Sequence, residues 1–173
     1  MRLVPSRRSI ARLLTVGVIL GQLMPSAFAQ CARPADKAAL DIAGLKSELM
    51  VIALECDVRD RYNDFVGRFK SELMNEERGL NAYFARAYGR SGRAQHDDYI
   101  TNLANVQSES GIKRGTFFCK ENVGLFDQVL ALPPGSDLAS FAASKQLVQP
   151  IDVAVCDTTA PERRTRTASA SHH

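Results

Sequence analysis

The chain of 173 residues carries 22 lysines and arginines against 19 aspartates and glutamates, with four cysteines and no tryptophan. Its formal net charge of +3 comes from the extreme N-terminus: setting aside Arg2, Arg7, Arg8 and Arg12 leaves 18 basic residues against 19 acidic, a net charge of −1. So weak a field excludes a protein held to nucleic acid or anionic lipid by charge, while the length suits one ordinary domain with its own core.

Residues 1–30 have the layout of an export signal. The four arginines precede the apolar run "LLTVGVILGQLM", Pro25 breaks it, and Ala27, Phe28 and Ala29 put small residues where a signal peptidase cuts. The run is shorter than the roughly 20 apolar residues that a membrane-spanning helix needs, so no membrane span is expected after cleavage. Gln30 stands directly before Cys31, where a lipoprotein signal has a small residue, which disfavours lipidation. "SRRSIAR" resembles the twin-arginine export signal. Adjacent arginines also occur in ordinary secretory leaders, and both routes remain open. The expected destination is the periplasm or the exterior.

The mature region opens with "PADKAALDIAGLKSELMVIALEC". Pro34 suits a first helical position and Asp36 the positive end of the helix dipole. Ile42, Leu45, Leu49 and Ile52 share a face that Val51 and Leu54 widen, predicting a helix from about Pro34 to Cys56. A second helix is expected from Asp57, as its cap, to Gly89. In it Tyr62, Phe65, Val66, Phe69 and Leu73 recur at helical spacing, the pattern resuming with Leu80, Tyr83, Phe84 and Ala87. Gly79 is its expected bend. "GRSGRAQ" reads as a turn, and a third helix carries Tyr99, Leu103 and Val106 and stops at Gly111. A fourth is capped by Thr116, bears Cys119, Val123, Phe126 and Leu130, and ends before Pro133 and Pro134. Ser136 opens a short fifth helix to about Ser144. "QLVQPIDVAVC" reads as extended, because Pro150 disfavours helix and Ile151, Val153 and Val155 alternate. Residues 157–173 lack apolar clusters and are expected to be disordered.

In an exported chain four cysteines predict a disulfide framework. Cys31 and Cys56 bracket a helix some 30 Å long, whereas bridged Cα atoms lie under about 7 Å apart, so these two cannot pair. Antiparallel packing of successive helices brings Cys119, in the first turn of the fourth helix, beside Cys56. It leaves Cys156 to return to Cys31. The expected bridges are Cys56–Cys119 and Cys31–Cys156, structural rather than redox-active, because no C-x-x-C pair is present.

Signals for chemistry are few. His96, in "QHDDY", is the one histidine ahead of the tail. As a general base it would work with Asp97 or Asp98; the plainer reading leaves it exposed at a helix N-terminus. No spacing supports a metal set or haem ligation by His96 with Met50 or Met74, so no metal or cofactor is expected. Pairs such as Glu55–Arg59, Asp57–Arg61, Asp64–Arg68 and Arg68–Glu72 read as solvated helix faces. Asn102, Asn105, Gln107 and Ser108 read as one wet face. Arg86, Tyr88, Arg90 and Arg93 form a candidate interaction patch, arginine and tyrosine being favoured at interfaces. The sequence therefore predicts an all-α antiparallel bundle over 31–156, of four main helices and a short fifth, stapled by two disulfides and ending in a short extended segment. Its expected role is non-catalytic binding of another periplasmic protein or a small apolar ligand; the alternative is a small enzyme or cofactor carrier using His96 with a neighbouring carboxylate.

Overall fold

Small and aliphatic residues surround the first helix on nearly every side, the composition of a helix that others pack around. In the computed structural model, which describes residues 31–156, that helix is α1 (Pro34–Glu55). It touches each later helical layer: α2 (Arg59–Arg68), α3 (Lys70–Tyr88), α4 (Gly92–Arg114), α5 (Phe118–Asn122) and α7 (Leu138–Ala143). A further helix, α6 (Gly124–Leu130), packs on α2. Counting α2–α3 and α5–α6 as two bent units, the architecture is the expected antiparallel bundle of four main helices plus a short fifth, α7.

The bends fall where the sequence did not mark them. The Asp57–Gly89 helix is interrupted at Phe69 (φ −105°, ψ 26°), not at Gly79. The break keeps the Phe69 ring 5.4 Å from that of Phe65 in the lower core while α3 turns toward the upper one. Gly79 instead permits close packing: a Cβ there would sit 3.0 Å from that of Ala39 on α1. Asp57 does not cap α2. It is a left-handed residue (φ 54°) that ends α1, and Val58 N–H reaches back to the Ala53 carbonyl at 3.0 Å, the pattern of a Schellman stop.

Other boundaries shift for similar local reasons. The turn after α3 is a single 3₁₀ turn, Gly89–Ser91, so α4 begins at Gly92 and takes in His96 in its second turn. It runs past Gly111 to Arg114 because Gly111 is packed against the Phe118 ring and Gly115 (φ 57°) makes the stop. Thr116 lies in a second 3₁₀ turn, Gly115–Phe117, and caps nothing. Asp137, not Ser136, caps α7, accepting from Ala139 N–H at 3.0 Å and Ser140 Oγ–H at 2.6 Å.

Two apolar clusters fill the bundle. The lower one gathers Leu45, Leu49, Ile52, Phe65, Phe69, Phe118, Phe126 and Leu138, with Cys56 and Cys119 packed on it. The upper one gathers Ala32, Leu40, Ala43, Leu80, Tyr83, Phe84, Tyr99 and Leu103, with Ile151 and Val153 laid over it. Each pole is clamped: Cys56–Cys119 below, with Cα atoms 5.5 Å apart, and Cys31–Cys156 above, at 4.8 Å. Among the described residues the C-terminal segment forms no strand; it makes one isolated parallel bridge, with Ala32 N–H on the Ala154 carbonyl and Cys156 N–H on the Ala32 carbonyl, both 2.8 Å. No described helix is long and apolar enough to cross a membrane. The expected leader and disordered tail lie outside the described residues.

Two arginines of α2 tie elements together across the fold. Arg61 pairs with Asp127 of α6, its guanidinium 5.5 Å from the Phe126 ring centroid. Arg68 donates to the Leu132 carbonyl.

Candidate functional site at the seam of α3 and α4

Aromatic residues one turn apart on α3, Phe84 and Tyr88, face His96 and Tyr99 of the antiparallel α4. Phe84 is the hub. Its ring centroid is 5.4 Å from those of His96 and Tyr99, 5.1 Å from Tyr83 and 5.8 Å from Tyr88. The two helices close tightly here because α4 starts with glycine: a Cβ on Gly92 would come 2.7 Å from the Phe84 carbonyl oxygen.

A cleft opens on each side of this hub. The first, about 280 Å³, is an aromatic groove with Phe84 and Tyr99 at its base, Tyr88, Pro150 and Ile151 as walls, and Gln95, Asp98 and Asn102 among its polar residues. The second, about 470 Å³, is polar and lined by Glu77, Asn81, Ala85, Gly92, Arg93, His96 and Asp97. The spacing explains the division. On α4 positions 95, 98, 99 and 102 share one stripe, and 92, 93, 96 and 97 lie about a quarter-turn or more further round.

His96 is not exposed. It is 6 % accessible and ring-stacked on Phe84, a burial that follows from α4 beginning a full turn earlier than the sequence suggested. Its Nε2 has no hydrogen-bond partner among the described residues. The carboxylate facing it is Glu77 Oε1 of α3, 3.9 Å away, rather than either flanking aspartate, although Asp97 lines the same cleft. Asn81 Nδ2 steadies Glu77, donating to its Oε1 at 3.2 Å and its carbonyl at 2.9 Å.

A buried carboxylate lies one residue before Glu77. Glu76, 2 % accessible, accepts from Lys46 Nζ of α1 at 2.8 Å through Oε2, while Oε1 has no hydrogen-bond partner among the described residues. Burial pushes its carboxyl above the usual range, against the Lys46 hydrogen bond and charge that pull it down. Burial likewise drives the Tyr99 phenol far above its ordinary value, with the charges of Glu76 and Asp41 adding to the rise.

The four residues of the predicted patch separate. Arg86 is bound to the buried Asp36 of α1 at 2.5 Å. Tyr88, 37 % exposed, lies over Phe84 at an interplanar angle of 20° and lines the aromatic groove. Arg90 lies exposed in the 3₁₀ turn, and Arg93 lines the polar cleft. Gln107 is not part of a wet face: fully buried, it donates to the Gly44 carbonyl at 3.1 Å and the Val148 carbonyl at 3.2 Å. Sequence reasoning missed Glu77 and Asn81, whose i, i+4 spacing on α3 was the available signal. Among the described residues no group of three or more histidine, cysteine, aspartate or glutamate side chains is placed to hold a metal ion.

No family model matches the chain, and no curated protein or solved structure is significantly similar to it.

Proposed function

We propose that the chain is an exported, non-catalytic binding protein of the periplasm or exterior that docks another exported protein on the aromatic groove beside Tyr88. Cleavage after Ala29 or Gln30 starts the mature chain near Cys31. The two closed disulfides support an oxidising destination, and the arginine-rich, apolar leader supports the route. One observation carries the docking reading: Tyr88 stands partly exposed on a wall of rings, with Gln95, Asp98 and Asn102 around it. An apolar centre with a polar rim is the usual anatomy of a protein interface. Arg90 next to it supplies a cation of the type enriched at such surfaces, whereas Arg86 is already engaged with Asp36.

The experiment is site-specific photo-crosslinking in the exporting host, with the photoreactive residue at position 88 and, as control, at Glu109 further along α4. A discrete adduct from position 88, absent from position 109 and lost when Arg90 is also changed to alanine, is the expected result. Equal labelling at both positions, or none at either, overturns the docking role. Intact-mass analysis of the same material, before and after reduction, reads the cleavage site and both bridges.

The alternative of an enzyme or cofactor carrier has the 3.9 Å approach of Glu77 to His96 in its favour. A chromophore or stoichiometric metal retained by protein isolated from its host would support it over the docking role.

A further inference from the structure

The polar cleft on the other side of Phe84 has a chemistry of its own. Its two walls are stripes one turn apart on antiparallel helices: Glu77, Asn81 and Ala85 on α3, and Gly92, Arg93, His96 and Asp97 on α4. The stripes run in opposite directions, so the carboxylates of Glu77 and Asp97 gather at one end and Arg93 at the other. Four residues along α4 separate Arg93 from Asp97, a rise of about 6 Å.

The two ends suit a ligand carboxylate and a ligand ammonium respectively. The first turn of α4 has no acidic residue, and Ser91 makes no side-chain cap, its Oγ donating instead to the Tyr88 carbonyl at 3.0 Å. The positive end of a long helix is therefore left uncompensated beside Arg93. At the acidic end His96 is more than nine-tenths buried with an unpartnered Nε2 that faces Glu77 Oε1 at 3.9 Å. A buried polar atom left without a partner is costly enough to need a reason, and an ammonium seated between the two would supply one. The acidic end argues against a simple anion, which Glu77 and Asp97 would repel, and Arg93 argues against a simple cation. A cleft of about 470 Å³ with opposite charges at its ends matches a small molecule carrying both.

We propose that this cleft binds a small zwitterion of the α-amino-acid class, its carboxylate taken by Arg93 beside the first turn of α4 and its ammonium by Glu77, Asp97 and the Nε2 of His96. The proposal is separate from protein docking at Tyr88, since no residue lines both clefts.

Saturation-transfer NMR on the mature, disulfide-intact protein tests it, first with a pool of the twenty standard amino acids. The best responder is then titrated against acetate and methylamine as half-ligands. Saturable binding is expected for at least one amino acid, with each half-ligand at least tenfold weaker. Arg93→Gln should weaken it at least tenfold. His96→Phe, which keeps the ring on Phe84 but removes both nitrogens, should do the same. Absence of saturable binding from the whole pool overturns the proposal. So does acetate binding as tightly as the amino acid, or unchanged affinity in Arg93→Gln, an exposed position whose variant tests the cleft even if His96→Phe does not fold.

Discussion

Gln149 of the C-terminal arm donates its side-chain amide to the Leu40 carbonyl of α1 at 3.1 Å and accepts from the Tyr99 hydroxyl at 3.0 Å. One side chain thus joins three elements far apart in sequence. The contact exists because Gly44, one turn beyond Leu40, has no Cβ: a methyl there would collide with the Gln149 amide. Gln149→Ala is expected to cost about 1 kcal/mol through the two lost hydrogen bonds, the Tyr99 hydroxyl still reaching the Leu40 carbonyl at 3.5 Å. Gly44→Ala should loosen the same arm, speeding amide exchange at Ala32 and Cys156, whose N–H groups hold the bridge, while α3 amides stay protected. Unchanged exchange at both amides in Gly44→Ala would show that the arm does not depend on this contact.

Two other glycines give opposite expectations for the same substitution. A Cβ added at Gly67, inside α2, would meet nothing within 4 Å, so Gly67→Ala gains about 0.5–1 kcal/mol from helix propensity and reduced unfolded-state freedom. Gly92→Ala meets backbone atoms of Phe84 and Ala85 at 2.7–2.9 Å. It should destabilise by more than about 1 kcal/mol because backbone cannot move aside as a side chain does. Urea midpoints of the two variants should shift in opposite directions; a shift in the same direction would remove the close-approach argument for α4.

Glu76 makes stability depend on pH. Its folded carboxyl lies above the ordinary value through burial, so the native state holds its proton more tightly than the unfolded chain does. Stability therefore falls as pH rises from the ordinary carboxylate value near 4.5 up to the raised one, and the penalty is fully present above it. Glu48, raised by burial and opposed by the Arg114 charge, has a slope of the same sign. Glu76→Gln should flatten part of this slope in urea titrations across that window. Lys46→Ala should cost about 3 kcal/mol at neutral pH by leaving the buried carboxylate unpaired, and a loss no larger than that of an exposed lysine would mean the pair carries no stability.

The two bridges should differ in worth despite their spans. Cys56–Cys119 joins positions 63 apart inside the lower core, and its removal by double serine substitution should cost about 4 kcal/mol by chain entropy. Cys31–Cys156 spans 125 positions and comes to about 5 kcal/mol on the same reasoning. Yet it ends an arm that can detach while the helices stay packed, so its measured cost in global unfolding should be the smaller one. A larger loss for the Cys31/Cys156 variant would place the arm in the cooperative core.

The bundle, its chain direction and both pairings were legible because periodic apolar residues and a helix too long to be bridged leave few arrangements open. Ile42, Leu45, Leu49, Ile52, Phe65 and Phe126 all lie in the core as their spacing implied. The breaks were not legible. Phe69 leaves helical backbone while its ring stays in a core shared with helices distant in sequence, on which local propensity has no information. Asp57, legible as a boundary, ends α1 as a left-handed residue rather than capping α2. The candidate site suffered for the same reason. A one-turn error in where α4 begins moved His96 from the surface to the Phe84 ring, and Gln107 reads as polar surface until Gly44 and Val148 supply its acceptors. Glu77 becomes relevant only once α3 and α4 are placed side by side.

The meeting of Ala32 with Val155 and of Cys31 with Cys156 makes the chain between those cysteines a covalent ring, with the 56–119 link nested inside it. A protease that nicks one exposed connection, for instance the 115–117 turn, converts the ring into an open strand without releasing a fragment. Both new ends stay tethered next to their former neighbours. As long as both bridges stay closed, such a molecule can take a single cut and keep its shape.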